Sequence, residues 1–114
     1  MITIYHNPRC SKSRCGLDIL KNSEKQFEVV EYLKNPLTKK EIITLLEKLG
    51  IPPMELVRKN EGIWKENYQN KALTDNEIID LLVTHPQLIE RPIVVQGNKA
   101  IIGRPEEKIY EFIR

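Results

Sequence analysis

The chain has 114 residues, which is enough for one domain with its own hydrophobic core, and its net charge is +2. This near-balance of charge argues against a nucleic-acid-binding surface, and the absence of any apolar run longer than three residues excludes a membrane span. The N-terminus has neither a basic start nor a long apolar stretch, so we expect no signal peptide and a cytoplasmic location.

The first third of the chain predicts two strands joined by a helix. Residues 1–5 alternate as a short strand, and a loop containing Asn7-Pro8 follows it. A helix begins near Ser11 or Ser13 and ends at Asn22-Ser23. Residues 27–33 form the second strand, which a right-handed crossover makes parallel to the first.

The middle of the chain predicts only helices. Two Thr-x-x-Glu capping boxes, Thr38 with Glu41 and Thr74 with Glu77, mark the starts of two helices. Gly50 and His85-Pro86 are the respective ends, and a short helix opens at Pro52-Pro53. Residues 58–62 are polar and read as a connection.

The last third predicts a hairpin and a helix. Gly97-Asn98 separates two short β-type runs, residues 93–95 and 99–102. Residues 103–107 start a helix whose inner face carries Ile109, Phe112 and Ile113. The order βαβ, helices, ββα predicts an α/β thioredoxin-like (glutaredoxin-like) fold with a four-stranded mixed sheet. We expect a single domain, residues 1–114, with an all-helical insertion at about 38–86.

Cys10 is the candidate nucleophile. It lies between the first strand and the first helix, where unpaired helix N–H groups favour a thiolate and a bound anion. Arg9, Lys12 and Arg14 add positive charge nearby. A cysteine packed quietly under the sheet is less plausible, because its neighbours are Pro, Arg, Ser and Lys.

Cys15 is expected to be a small residue on the buried side of the first helix, together with Leu17 and Leu20, and the alternative is a resolving thiol that captures an oxidised Cys10. Helical geometry would carry it roughly 7.5 Å along the axis from Cys10. A disulfide needs Cα atoms closer than about 7 Å, so pairing is disfavoured. Position 13 is Ser13, so the motif is not CxxC, and the spacing of the two cysteines and two histidines does not suit a metal site.

Four further residues could act with Cys10. His6 could raise its thiolate population as a cation or as a hydrogen-bond donor, or could be an exposed loop histidine. Arg58, Arg91 and Arg104 all lie in connections, and a guanidinium offers donors that suit a tetrahedral oxyanion. In a thioredoxin-like sheet, Arg91-Pro92 would lie beside the first helix, and Pro92 is a candidate cis proline.

These segments resemble the glutaredoxin-coupled arsenate reductases, the ArsC type within the thioredoxin-like superfamily, related to Spx and YffB-like proteins. The resemblance covers essentially the whole chain. It rests on residues 2–14 (Ile-Thr-Ile-Tyr-His-Asn-Pro-Arg-Cys-Ser-Lys-Ser-Arg), 56–60 (Leu-Val-Arg-Lys-Asn), 91–94 (Arg-Pro-Ile-Val) and 103–105 (Gly-Arg-Pro). Four motifs in this order are specific, although each alone would be weak.

The resemblance implies a role for each matching residue. Cys10 corresponds to the cysteine that attacks arsenic, and His6 to a histidine that promotes its ionisation. Arg58, Arg91 and Arg104 correspond to the arginines that hold the oxyanion, and Ser13 and Arg14 correspond to loop positions around the anion. The implied reaction has three stages. The thiolate displaces an oxygen of arsenate, and glutathione then adds to the arsenic and reduces it. Glutaredoxin finally resolves the product, and arsenite leaves. It needs glutathione as a co-substrate and no metal or tightly bound cofactor.

Two other functions stay open. Cys10 could instead serve a thiol transferase that acts on glutathione mixed disulfides, although three retained arginines favour an oxyanion. A Spx-like regulator that binds RNA polymerase is a third possibility. Such regulators use CxxC where this chain has Cys10-Ser11-Lys12-Ser13, which counts against it.

Overall fold

The computed structural model describes every residue from Met1 to Arg114. Its contacts divide the chain into two compact units, one formed by Met1–Asn35 with Arg91–Arg114 and the other by Pro36–Glu90. The first unit contains β1 (Ile2–Tyr5), α1 (Ser11–Asn22), β2 (Phe27–Val30), β3 (Ile93–Gln96), β4 (Lys99–Ile102) and α5 (Glu107–Phe112). The second contains α2 (Lys39–Leu49), α3 (Gly62–Asn67), α4 (Asp75–Thr84) and 3-10 turns at Pro53–Leu56 and Pro86–Leu88. That the two units form one domain stays a prediction.

The first unit holds a mixed sheet in the order β2-β1-β3-β4. β1 runs parallel to β2 and antiparallel to β3, and β3 pairs antiparallel with β4. Tyr5, the last residue of β1, lies opposite Val30 and Ile93. The predicted four-stranded α/β arrangement is confirmed, and the loop after β1 leaves the sheet at the same end as the start of β3.

One core cluster connects the sheet to its helices. It combines Ile2, Ile4 and Val94 from the sheet with Ile19, Leu20, Ile109 and Ile113 from α1 and the C-terminal helical segment. The alternation of β1 is what places Ile2 and Ile4 on one buried face. The core therefore holds α1, and with it Cys10, at a defined position against the sheet.

The expectation that Cys15 is buried is wrong, because its side chain is exposed. The buried positions of α1 are Ser13, Gly16, Ile19 and Leu20, which follow helical spacing along one face. Consecutive helical residues are separated by about 100°, so Cys15 falls outside that face. Leu17 is only partly buried, whereas Leu20 is fully buried as expected.

The second strand is shorter than predicted. It ends at Val30, and the carbonyl of Glu31 then accepts from the amides of Lys34 and Asn35 in a turn. Tyr32 is buried in that turn, so its apolar character reflects burial rather than strand pairing. Similarly, the last helix begins at Glu107, with Glu106 as its N-cap.

The second unit confirms both capping boxes. Thr38 and Thr74 each accept from the amide of the glutamate three residues later, and each glutamate carboxylate accepts from the threonine amide in return. Gly50 ends α2 with φ +65°, a left-handed conformation that favours glycine. The sequence analysis missed α3, because its six residues include a single buried side chain, Trp64, and no periodicity.

Candidate active site

Cys10 occupies the N-cap position of α1. Its backbone is extended, with φ −96° and ψ 122°, and its carbonyl accepts the first helical bond from the amide of Arg14 at 3.0 Å. Its own amide donates to the carbonyl of Asn7, also at 3.0 Å. The residue is 8% exposed, and the first turn of α1 carries no acidic side chain. The partial positive charge of the helix N-terminus is therefore not neutralised locally.

Arg104 contacts the sulfur of Cys10. Its Nη2 lies 3.4 Å from Sγ, and its Nε donates to the carbonyl of Arg91 at 2.7 Å. One edge of the guanidinium is thus held by the backbone while another nitrogen faces the thiol. A thiolate at this position would accept a charge-assisted hydrogen bond.

The β3–β4 hairpin explains why Arg91 and Arg104 meet. Ile93 and Ile102 are paired in the sheet, so the residues just before β3 and just after β4 lie side by side. The amide of Gly103 donates to the carbonyl of Pro92 at 2.8 Å, which continues this pairing beyond the strands. The Arg91-Pro92 peptide bond is cis, as expected, and Arg104-Pro105 is cis as well. Arg91 is 4% exposed.

Two glycines allow this hairpin to pack closely against α1 and α5. A Cβ on Gly16 would lie 2.9 Å from Cγ of Pro92, and one on Gly103 would lie 2.7 Å from Cδ1 of Ile109. Real Cβ atoms do not come so close to other heavy atoms, so both positions require glycine unless their neighbours move. Gly16 therefore sets the spacing between the loop of Arg91 and the helix that carries Cys10, and Gly103 sets the spacing between the hairpin and α5.

His6 is connected to the active-site loop through Ser13. Its Nδ1 lies 2.6 Å from Oγ of Ser13, which also accepts from the amide of Asn7 at 2.9 Å. Burial lowers the pKa of His6 below 6.5, although the negative charge of Glu31 opposes the shift. The imidazole is therefore mostly neutral at pH 7, which disfavours the cationic alternative and leaves that of a hydrogen-bond donor. His6 is buried, so it is not an exposed loop histidine. The part that His6 plays in ionising Cys10 stays a prediction.

Asn7 is a positioning residue that the sequence analysis missed. It is buried, and its Oδ1 accepts from the amide of Arg9 at 3.0 Å while its carbonyl accepts from Cys10. Asn7 followed by Pro8 predicts only a turn. The available signal was that Asn side chains cap the backbone two residues ahead, which is the bond seen here.

The remaining predicted site residues lie in different surroundings. Arg14 is exposed, and its Nη1 donates to the carbonyl of Pro8 at 2.9 Å, so it closes the loop that precedes Cys10. Arg58 belongs to the second unit, where its Nη1 lies 3.4 Å from Oε1 of Glu61 and its buried Nε has no hydrogen-bond partner. The role of Arg58 at the anion stays a prediction.

Comparison with known proteins shows the family of this chain. Residues 5–112 match the ArsC family model. The chain belongs to the ArsC family. The uncharacterized protein YfgD of Escherichia coli K12 is 44% identical over 98% of this chain and 96% of its own length. An arsenate reductase of the same strain is 38% identical over 98% of this chain and 80% of its own length.

Solved structures lead to the same family. An arsenate reductase from Vibrio cholerae has a TM-score of 0.91 with this ArsC-family chain at 38% identity, covering 96% of this chain and 95% of its own. The resemblance on which the sequence analysis relied is thus confirmed. Within the first unit, Arg104 contacts both the sulfur of Cys10 and the backbone carbonyl of Arg91. His6 is connected to the loop before Cys10 through Ser13 and Asn7. The role of the Arg91 side chain at the anion stays a prediction.

None of the helices combines the length and the apolar character that crossing a membrane requires. Cys10 and Cys15 are both free thiols, the former buried and the latter exposed.

Proposed function

We propose that this ArsC-family protein is an arsenate reductase that uses Cys10 as its nucleophile and glutathione with glutaredoxin as reductants. The contact between Arg104 Nη2 and Cys10 Sγ carries the proposal. It supports a thiolate held beside a donor that can also bind an oxygen of the substrate. Arsenate reductases among the relatives support the same substrate.

The surroundings of Cys10 suit a tetrahedral oxyanion. The amides of the first turn of α1 have no partner within the helix and point toward its N-terminus, where an anion is stabilised. Arg104 adds positive charge from the hairpin, and in this proposal the resemblance assigns the side chain of Arg91 to the same anion. In this proposal Arg58 also binds the oxyanion, and this role rests on the family resemblance alone.

The chemistry divides into steps that balance. The Cys10 thiolate forms an S–As bond, and one arsenate oxygen leaves as water after taking up protons. A glutathione thiol forms a second S–As bond, and a second water leaves. The glutaredoxin thiolate then attacks the glutathione sulfur. The As–S electron pair stays on arsenic, which becomes As(III), and a glutaredoxin–glutathione disulfide leaves. Water finally displaces the Cys10 thiolate and releases arsenite.

The remaining residues position these groups. Ser13 and His6 hold the loop that precedes Cys10, and Arg14 closes it over Pro8. External thiols supply both electrons, so the scheme uses no tightly bound cofactor. We place the reaction in the cytoplasm, because reducing conditions keep Cys10 available as a thiol.

Arsenite production from arsenate, measured with glutathione and glutaredoxin, tests the proposal. The native protein should turn over, Cys10→Ser should not, and Cys15→Ser serves as the matched cysteine control. If the native protein fails with arsenate but reduces a glutathione mixed disulfide, the nucleophile is right and the thiol transferase function replaces this one.

A further inference from the structure

A small cavity adjoins the active-site loop. Its volume is about 280 Å³, close to the lower end of ligand pockets, which range from about 300 to 1,000 Å³. The lining comes from the loop before Cys10 and from the turn after β2: Asn7, Pro8, Arg9, Glu31, Leu33 and Lys34. No step assigned so far to the nucleophile or the oxyanion uses this cavity.

The charges of the cavity form a specific pattern. Arg9 and Lys34 contribute two positive charges and Glu31 one negative charge, and Pro8 and Leu33 are the apolar part of the lining. Glutathione carries the opposite pattern at neutral pH, with two carboxylates and one ammonium on a short peptide. Arsenate, in contrast, carries no positive group that Glu31 could bind.

The lining of the cavity is continuous along the chain with the residue that carries the reacting sulfur. Arg9 directly precedes Cys10, and the carbonyl of Asn7 accepts from the amide of Cys10 at 3.0 Å. Neighbouring Cα atoms are about 3.8 Å apart, so a short peptide that binds Arg9 lies next to the residue that carries arsenic in the proposed reaction.

We propose that this cavity is the binding site for glutathione, whose carboxylates bind Arg9 and Lys34 and whose ammonium binds Glu31. The proposal rests on the proposed function in that glutathione is the co-substrate there. Lys34 Nζ and Glu31 Oε1 are 3.5 Å apart, with the side chain of Lys34 75% exposed. Such an exposed pair contributes little, so separating it for the ligand costs little.

Hydrogen bonds made by Asn7 and Arg14 fix the wall of the cavity that the loop before Cys10 forms. Oδ1 of Asn7 accepts from the amide of Arg9, and Arg14 holds the carbonyl of Pro8. The loop side of the cavity is thus ordered before a ligand arrives, which reduces the entropy lost on binding.

The test measures binding of S-methylglutathione, which cannot react, to the native full chain by calorimetry. Lys34→Glu should weaken binding at least about tenfold, since it replaces an attraction with a repulsion. Lys99→Glu is the matched control, because Lys99 is exposed and pairs with Gln96 at the end of the sheet that lies away from Tyr5. Its affinity should equal that of the native protein.

A change in the ligand tests the same contact from the other side. The diethyl ester of S-methylglutathione lacks both carboxylate charges, so it should bind the native protein more weakly, and Lys34→Glu should not weaken it further. Equal affinities of Lys34→Glu and Lys99→Glu for S-methylglutathione would overturn the proposal.

Turnover separates this inference from the proposed function. In arsenate reduction, Lys34→Glu should raise KM for glutathione and leave KM for arsenate unchanged. Full turnover with an unchanged glutathione KM would overturn the cavity assignment and leave the arsenate reductase proposal intact. Specific binding of S-methylglutathione without any arsenate turnover would overturn the arsenate reductase proposal and leave the cavity assignment intact.

Discussion

Arg104 Nη2 lies 3.4 Å from the sulfur of Cys10, although 94 positions separate the two residues along the chain. The same guanidinium donates from Nε to the carbonyl of Arg91. A planar fork can satisfy both contacts at once, whereas the single ammonium of a lysine cannot. This geometry distinguishes a positioned donor from a solvated surface charge.

Replacing Arg104 should therefore remove activity more than stability. Arg104→Lys keeps the charge but loses the fork, and we expect kcat for arsenite production to fall roughly 10²- to 10³-fold, the loss typical of removing one oxyanion donor. Urea unfolding of the same variant provides the control. A kcat within twofold of the native value would mean that charge alone suffices at this position.

Ser13 should be important for stability as well as for the site. Ser13→Ala leaves the Asn7 amide without its buried acceptor, and we expect a loss of about 1–3 kcal/mol in the free energy of unfolding. Ser11→Ala is the matched control, because Ser11 is exposed at the start of the same helix. Urea titrations of both variants measure the difference, and equal losses would contradict the network.

The lowered pKa of His6 predicts a pH dependence of stability. His6 binds a proton less readily in the folded protein than in the unfolded chain, where its pKa has the ordinary value of 6.5. Stability from this group is therefore fully present above pH 6.5 and is lost as the pH falls below it, through the folded pKa. His6→Gln should reduce the loss of unfolding free energy between pH 7.5 and 5.5. Carboxylates contribute to both proteins, so the difference between the two slopes isolates His6.

The close packing at Pro92 predicts sensitivity to one methyl group. Gly16→Ala and Gly103→Ala should each cost about 1–3 kcal/mol of unfolding free energy by overpacking. Gly62→Ala is the control, since no atom lies closer than 4.0 Å to its added Cβ, and helix propensity favours alanine there. Thermal unfolding of the three variants checks the order. If Gly16→Ala and Gly103→Ala are as stable as the native protein, Pro92 and Ile109 move freely to accommodate the methyl group.

Cys15 should be dispensable. Its side chain is exposed on α1, away from the face that packs against the sheet, so Cys15→Ser should leave kcat and the unfolding free energy unchanged. Arsenite production and urea unfolding measure both. Loss of turnover with Cys10 intact would indicate that the second thiol captures an intermediate.

Local sequence signals predicted most elements correctly because the energies involved are local. The Thr38 and Thr74 capping boxes and the Gly97-Asn98 turn each depend on a few neighbouring residues, and all appear where expected. Failures occurred where long-range packing decides. Tyr32 extended the predicted strand because an apolar residue in a turn and one in a strand look alike, and α3 has a single apolar anchor.

The candidate site divides along the same line. The sequence by itself determined that a cysteine follows the first strand at a helix N-terminus, and its motifs determined the family. Only the tertiary structure decided that Arg104 contacts the sulfur, that His6 contacts Ser13, and that the side chain of Cys15 is exposed. These facts depend on the register of β3 against β4 and on the rotation of α1 against the sheet. Both are set by the packing of distant side chains, which no local pattern encodes.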